Sequence, residues 1–482
     1  MINKLSYIST GLCGFAWLLA FSAPAHADED VYAGFPVTLK GYSGSAKDSV
    51  SYKGQIARHV LHDSLKKLAG SGNGSADPAL KAKMLAYFEG TEPGRAILAP
   101  VSNGPFVIEQ AMVDDISKGR ELASKTYKGA IAGWPNNMTG PEVVAFWIDK
   151  AAAADKGFDM ANGYSYAQLI SKFVMGAVFY NQVVDGYLDE NLSADKKPNN
   201  EPYGKGAAYT GKEHSWDEAF GYFGTPAHTL KLTAGDIYDI NKLGGKNPEA
   251  TLAKADYNKD GKVDLYREMA FGPAYYAAGF DASVYDTGNG TTYLHTITRA
   301  FLDGRKLLVA ANGEKLTDAQ RSKLREYAAT IESNWEKVLA EAAFKYAGSV
   351  YKDVDKLQTI LEAKGDTATV LRDYVNHWGE LKGFSLSLQA GRKNLGETSV
   401  VLNRLIGFGP VMPNLSQVID VDSNGNYVKG EAVSLDEYKL HMLKVQKLMV
   451  DEFGVRARNN DVMAGMAGLA KKLGSGKSAE ND

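Results

Sequence analysis

The strongest constraint on the fold is a helical apolar period that returns through most of the chain's long segments. Residues 52–69, YKGQIARHVLHDSLKKLA, put Ile56, Val60, Leu61, Leu65 and Leu68 on one stripe, as a helix with one buried face requires. Over 164–188, Leu169, Ile170, Phe173, Val174, Ala177, Val178 and Val184 make a broader apolar surface, which suits a central helix. A long helix is predicted to open at Thr317, a capping residue followed by acidic Asp318 in the first turn. Residues 369–389 and 434–453 keep the same period, and Ser434 with Glu437 three positions on forms a capping-box pattern. Strand signals are scarce. The expected class is all-α, an antiparallel helical bundle. Two polar, turn-rich regions interrupt it: 190–213, and 225–294, which reads as an irregular inserted excursion. Residues 473–482 lack the apolar content to order themselves.

The first 27 residues read as a signal peptide. Lys4 precedes an apolar run from Leu12 to Phe21, and Ala25 and Ala27 stand at the −3 and −1 positions of a cleavage site. That run is too short to span a bilayer, and the longest later one, FVMGAVFY at 173–180, is shorter still. The mature chain is therefore expected to be exported, to the periplasm or beyond, with one domain over 28–472. Cys13 is the chain's only cysteine. The mature protein then has no disulfide, thiolate ligand or cysteine nucleophile. Any metal must be held by His, Asp, Glu or backbone oxygens, which suits iron, mixed-ligand zinc or calcium. A formal net charge of −3 leaves no electrostatic footprint for nucleic acid or an anionic membrane.

Two patterns point to metal chemistry. In EHSWDEAFGYFG (213–224), helical spacing puts His214 and Glu218 on one face, with Asp217 close enough to ligate or to orient the imidazole. A second helix offers His377 and Glu380 in HWGE. Four N/O ligands from two facing helices could hold iron or zinc, as in helical-bundle metal sites. The alternative is two buried histidines, each fixed by a carboxylate. The other pattern is DYNKDGKVDLYRE (256–268): Asp256, Asn258, Asp260, the Lys262 carbonyl and Asp264 follow calcium-loop spacing, with Gly261 at the turn. Arg267 stands where the last acidic ligand belongs, and Glu268 follows it by one residue. A fainter echo, DVDSNGNYVKGE (420–431), reads equally as a hairpin turn at Asn-Gly.

The blocks SYKGQIARHVLHDSL, YSYAQLISKFVMGAVFYNQVVDGYL, YTGKEHSWDEAFGYFG, AFLDGRKLL and HWGELKGFSLSL resemble, in this order, the family named domain of unknown function 4856. That family looks like a distant relative of imelysin-type proteins, exported helical bundles associated with iron acquisition. The resemblance implies an ion site with a GxHxxE motif, here nearest to His214 with Asp217 or Glu218, and to His377 with Glu380. Glu213 stands where that motif has glycine. The expected function is a periplasmic helical protein that binds a metal ion or a metal-containing ligand, with calcium as a structural ion. The alternatives are a metal-dependent hydrolase and a purely structural or interaction protein.

Overall fold

The computed structural model describes residues 29–284, 290–391 and 395–474. The predicted leader 1–27 and the tail beyond 474 lie outside the described residues. An extended stretch, 29–52, leads into α1 (Lys53–Ala69) and α2 (Pro78–Phe88), and an irregular run holds the short α3 (Val113–Ile116). After α4 (Gly140–Ala151), a small hairpin of β1 (Phe158–Asp159) and β2 (Tyr164–Ser165) feeds α5 (Tyr166–Val174). α5 continues as π-helical turns over Met175–Tyr180 and Gln182–Tyr187. Then come α6 (Gly211–Phe223), α7 (Ala234–Asn241), α8 (Pro248–Ala255), α9 (Gly272–Val284), α10 (Tyr293–Ala310), α11 (Asp318–Glu362) and α12 (Ala368–Leu388). The chain closes with α13 (Glu397–Ile406), a hairpin of β3 (Ser416–Val421) and β4 (Tyr427–Glu431), α14 (Leu435–Phe453) and α15 (Met466–Lys472).

The fold is all-α, and two antiparallel hairpins are the only sheets among the described residues. α11, 45 residues long, is the spine against which α10, α12 and α14 pack. Its capping box is formed by Thr317, whose hydroxyl accepts the Gln320 N–H while the Gln320 side chain accepts the Thr317 N–H. Ser434 caps α14 by accepting the Glu437 N–H. Asp422–Asn426 makes the β3–β4 turn, with Gly425 at φ 77°, so the 420–431 segment is a hairpin.

α5 and α12 meet at unusually short range because small residues line the seam. A Cβ on Gly383 would stand 2.6 Å from that of Lys172, and one on Gly176 would stand 2.2 Å from that of Ser387. This approach presses Lys172 and Glu380 together at the helix crossing.

The 225–294 region departs from its sequence reading. It contains α7, α8 and α9, and α9 buries Ala277, Ala278 and Phe280 in the main core. A helix buried on most sides, GPAYYAAGFDASV, has no polar face, so it shows no 3.6-residue stripe to detect.

Candidate functional site

The EHSWDEAFGYFG block forms α6. Thr210 caps it, and Glu213 returns to the Thr210 N–H at 2.9 Å. One side of the helix carries Glu213 and Asp217, one turn apart, and both grip Arg305 of α10 at 2.9 Å with no solvent exposure. Thr38 donates to Glu213, while the Tyr32 hydroxyl and the Ser51 N–H donate to Asp217. Burial pushes the Asp217 carboxyl up to about 7, against the pull of Arg305 and these donors. Trp216 donates to the Phe301 carbonyl and lies on Gly304, where a Cβ would come within 2.1 Å of the indole. The AFLDGRKLL block thus exists to receive α6: its glycine admits the indole and its arginine neutralises two carboxylates.

His214 and Glu218 face another way. The imidazole is stacked on Tyr209 at 4.4 Å and meets the edge of Tyr203 at 4.2 Å. Its Nε2 stands 3.6 Å from Glu218 Oε1, and Gln55 donates to that same oxygen at 2.8 Å. Burial, then the charge of Lys197, lowers the His214 pKa to about 4, so the ring is neutral at pH 7.

His377 and Glu380 lie elsewhere. Nδ1 of His377 is 2.6 Å from Asp353 of α11, and Glu380 Oε1 is 3.6 Å from Lys172 Nζ of α5. Burial opposes charge on His377, but the bond to Asp353 and the carboxylates of Asp353, Glu380 and Asp373 outweigh it and raise the pKa. The expected constellation of His214, Asp217, Glu218, His377 and Glu380 is therefore not brought together. α6 packs on α1 and α10, α12 packs on α11 and α5, and Asp217 is taken by Arg305. Among the described residues, no group of three His, Cys, Asp or Glu side chains is placed to hold a metal ion.

The 256–268 loop is closed by its own hydrogen bonds. Asp256 accepts the N–H groups of Asp260 (3.1 Å) and Gly261 (2.8 Å), and Asp260 accepts that of Lys262 (2.9 Å). Asn258 Oδ1 also accepts the Asp260 N–H, at 2.9 Å. Asp264 takes Tyr266 N–H and the Gln110 amide. Gly261 has the left-handed φ of 84° that the tight turn needs. Arg267 turns outward to Asp48 at 2.7 Å, whereas Glu268 turns inward and accepts the N–H groups of Tyr257, Asn258 and Asp264. The donor types suit a hard cation. Their oxygens are engaged with backbone N–H groups rather than gathered on one point.

A cleft of about 640 Å³ opens beside the α5–α12 seam, walled by α1, α5, α9 and the end of α7. Lys66, Lys67, Lys172 and Lys242 line it, against the carboxylates of Asp63 and Glu380. Lys172 is 3 % exposed, and its Nζ sits 5.3 Å over the Tyr276 ring. Burial, then the neighbouring Lys66 ammonium, lowers the Lys172 pKa to about 7, with Glu380 pulling weakly the other way. Tyr276 and Tyr346 share a hydrogen bond of 3.1 Å, and burial, then the charge of Glu380, raises the Tyr346 pKa. Lys242 lies 5.0 Å over the Tyr275 ring at the mouth. Oε1 of Gln168, a residue of the cleft wall, is buried and has no hydrogen-bond partner among the described residues. Sequence reasoning missed this cleft. The one available signal was Lys172, a lysine set among Leu169, Ile170, Phe173 and Val174 on an otherwise apolar helix.

Fold and cleft together define an all-α protein with a lysine-rich concavity between helices. The family model described as Domain of unknown function (DUF4856) matches residues 142–245, and the chain is a DUF4856 domain-containing protein. The matched span supplies Lys172, Gln168, Asn241 and Lys242 to the cleft, together with all of α6. Neither a curated protein nor a solved structure matches the chain.

Proposed function

We propose that the protein is an exported binding protein that holds a small organic anion in the lysine-lined cleft. The observation that carries this reading is the charge imbalance in a confined space: four lysines face two carboxylates, and one of those lysines is almost wholly buried. A buried ammonium beside a second ammonium is costly, and an anionic ligand offsets that cost. The faces of Tyr275 and Tyr276 add the apolar surface typical of ligand sites. Export rests on the leader read at residues 1–27. A negatively charged metal chelate would present the same oxygens to the same lysines, and through it the iron-acquisition reading becomes an arm of one experiment.

Titration with pyruvate, citrate and ferric citrate, followed by calorimetry, tests the reading. At least one should bind, and binding should weaken about tenfold or more in a Lys66→Gln/Lys242→Gln double variant, as loss of two charge-assisted contacts implies. Affinity should fall as pH rises through about 7, because Lys172 then gives up its proton and the cleft loses a positive charge. No binding of any of the three, or equal affinity in the double variant, would count against the site.

A structural calcium in the 256–268 loop is a separate proposal, supported by the ligand spacing of Asp256, Asn258, Asp260, Lys262 and Asp264, with Glu268 turned inward. Calcium should raise the Tm of the wild type and leave that of Asp260→Ala unchanged. A wild-type Tm indifferent to calcium removes the idea.

A further inference from the structure

We propose that Lys172 is a nucleophilic amine that forms an imine with the carbonyl carbon of a 2-oxo carboxylate bound in the cleft. This rests on the anion-binding reading and names the ligand class. The geometry carries it in three ways. Lys172 is the deep lysine of the cleft, so a carboxylate held by Lys66 and Lys242 nearer the mouth presents its adjacent carbonyl inward. Lys66 lines the same cleft, and its ammonium charge disfavours a second charge on the buried Lys172 amine. Glu380 stands 3.6 Å from Nζ, near enough to exchange a proton with the amine. The other charged groups lining the cleft are Asp63 and Lys67 on α1.

The step releases one water and takes up one proton from solvent, which appears as the positive charge of the iminium. The Nζ lone pair attacks the carbonyl carbon, a C–N bond forms and the C=O π bond breaks. The alkoxide takes a proton from solvent at the open cleft and becomes a hydroxyl, while the one proton shed by nitrogen passes to Glu380. Glu380 returns a proton to that hydroxyl, which leaves as water as the C=N bond forms. The resulting iminium lies over the Tyr276 ring, whose face favours a cation. The pKa of about 7 supports this, since roughly two to three hundredfold more of the amine is neutral at pH 8 than for an ordinary lysine.

The test is reductive trapping with pyruvate and cyanoborohydride on the full-length protein, followed by peptide mass mapping. Lactate, which carries the carboxylate but no ketone, serves as the calorimetric control. The expected result is an N-(1-carboxyethyl) adduct on Lys172 formed at least about tenfold faster than on surface lysines. It should be absent in Lys172→Arg, which keeps the charge. In Lys66→Met the pH profile of trapping should move upward, an effect a merely structural role for Lys66 would not produce. If pyruvate and lactate bind but Lys172 is labelled no faster than surface lysines, the imine is overturned and the anion site stands. If neither ligand binds and nothing is trapped, both readings fall.

Discussion

Replacing Arg305 with methionine should destabilise the protein by about 3–5 kcal/mol, because the change strands two buried carboxylates at once. Glu213 and Asp217 have no solvent exposure, and among the described residues Arg305 is the cation within ion-pair distance of both. Removing one member of a buried ion network leaves the others desolvated and unpaired, which costs more than the network's net worth. Arg305→Lys should recover only part of the loss, since an ammonium cannot reach Asp217 through Nε, Glu213 through Nη1 and Ser49 through Nη2 at once. Urea unfolding read by tryptophan fluorescence gives the measurement, and Trp216 sits beside the network on α6. A loss below about 1 kcal/mol for Arg305→Met would mean the carboxylates find another partner, contrary to the geometry.

Glu341→Ala should be comparably severe. This side chain in the middle of α11 is fully buried and accepts the N–H groups of Arg456, Ala457 and Arg458 at 2.5, 2.6 and 3.0 Å, together with the Tyr293 hydroxyl. It is the clasp that holds the chain after α14 against the spine. Alanine would leave three backbone donors without their acceptor, the buried Ala457 N–H at a cost of about 1–3 kcal/mol and the two part-buried ones at less. We expect a loss of at least about 3 kcal/mol and faster amide exchange at residues 456–458. Unchanged exchange at those amides would show that the clasp does not hold that segment.

The two largest effects concern packing, and this bears on how the densest block of the chain is understood. The acids of EHSWDEAFGYFG are split between two faces of α6: Glu213 and Asp217 bind Arg305, and Glu218 turns toward His214 and Gln55. His/Glu spacing along one helix was legible and correct, since His214 and Glu218 do share a face. The second helix was the step that failed. Whether His377 looks toward His214 depends on which helices are neighbours, and no local pattern encodes that. Likewise Arg305 gives no sign in AFLDGRKLL that it will be buried; only the carboxylates waiting across the interface make its burial tolerable.

Local physics settled the helices. Periodic stripes, the Thr317 and Ser434 caps and the Asn-Gly turn at 424–425 act within a few residues of one another, so α1, α11, α14 and the β3–β4 turn follow from the sequence by itself. α9 shows the limit, because a helix surrounded by protein needs no polar face and so leaves no stripe. The cleft belongs wholly to the tertiary structure. Lys66, Lys172, Lys242 and Glu380 come from separate parts of the chain and meet because Gly383 and Gly176 let α12 and α5 close to backbone range. Each lysine alone is an ordinary cation. Gathered around one cleft, with Lys172 out of water and Lys66 and Lys242 nearer the mouth, they give that concavity its positive charge.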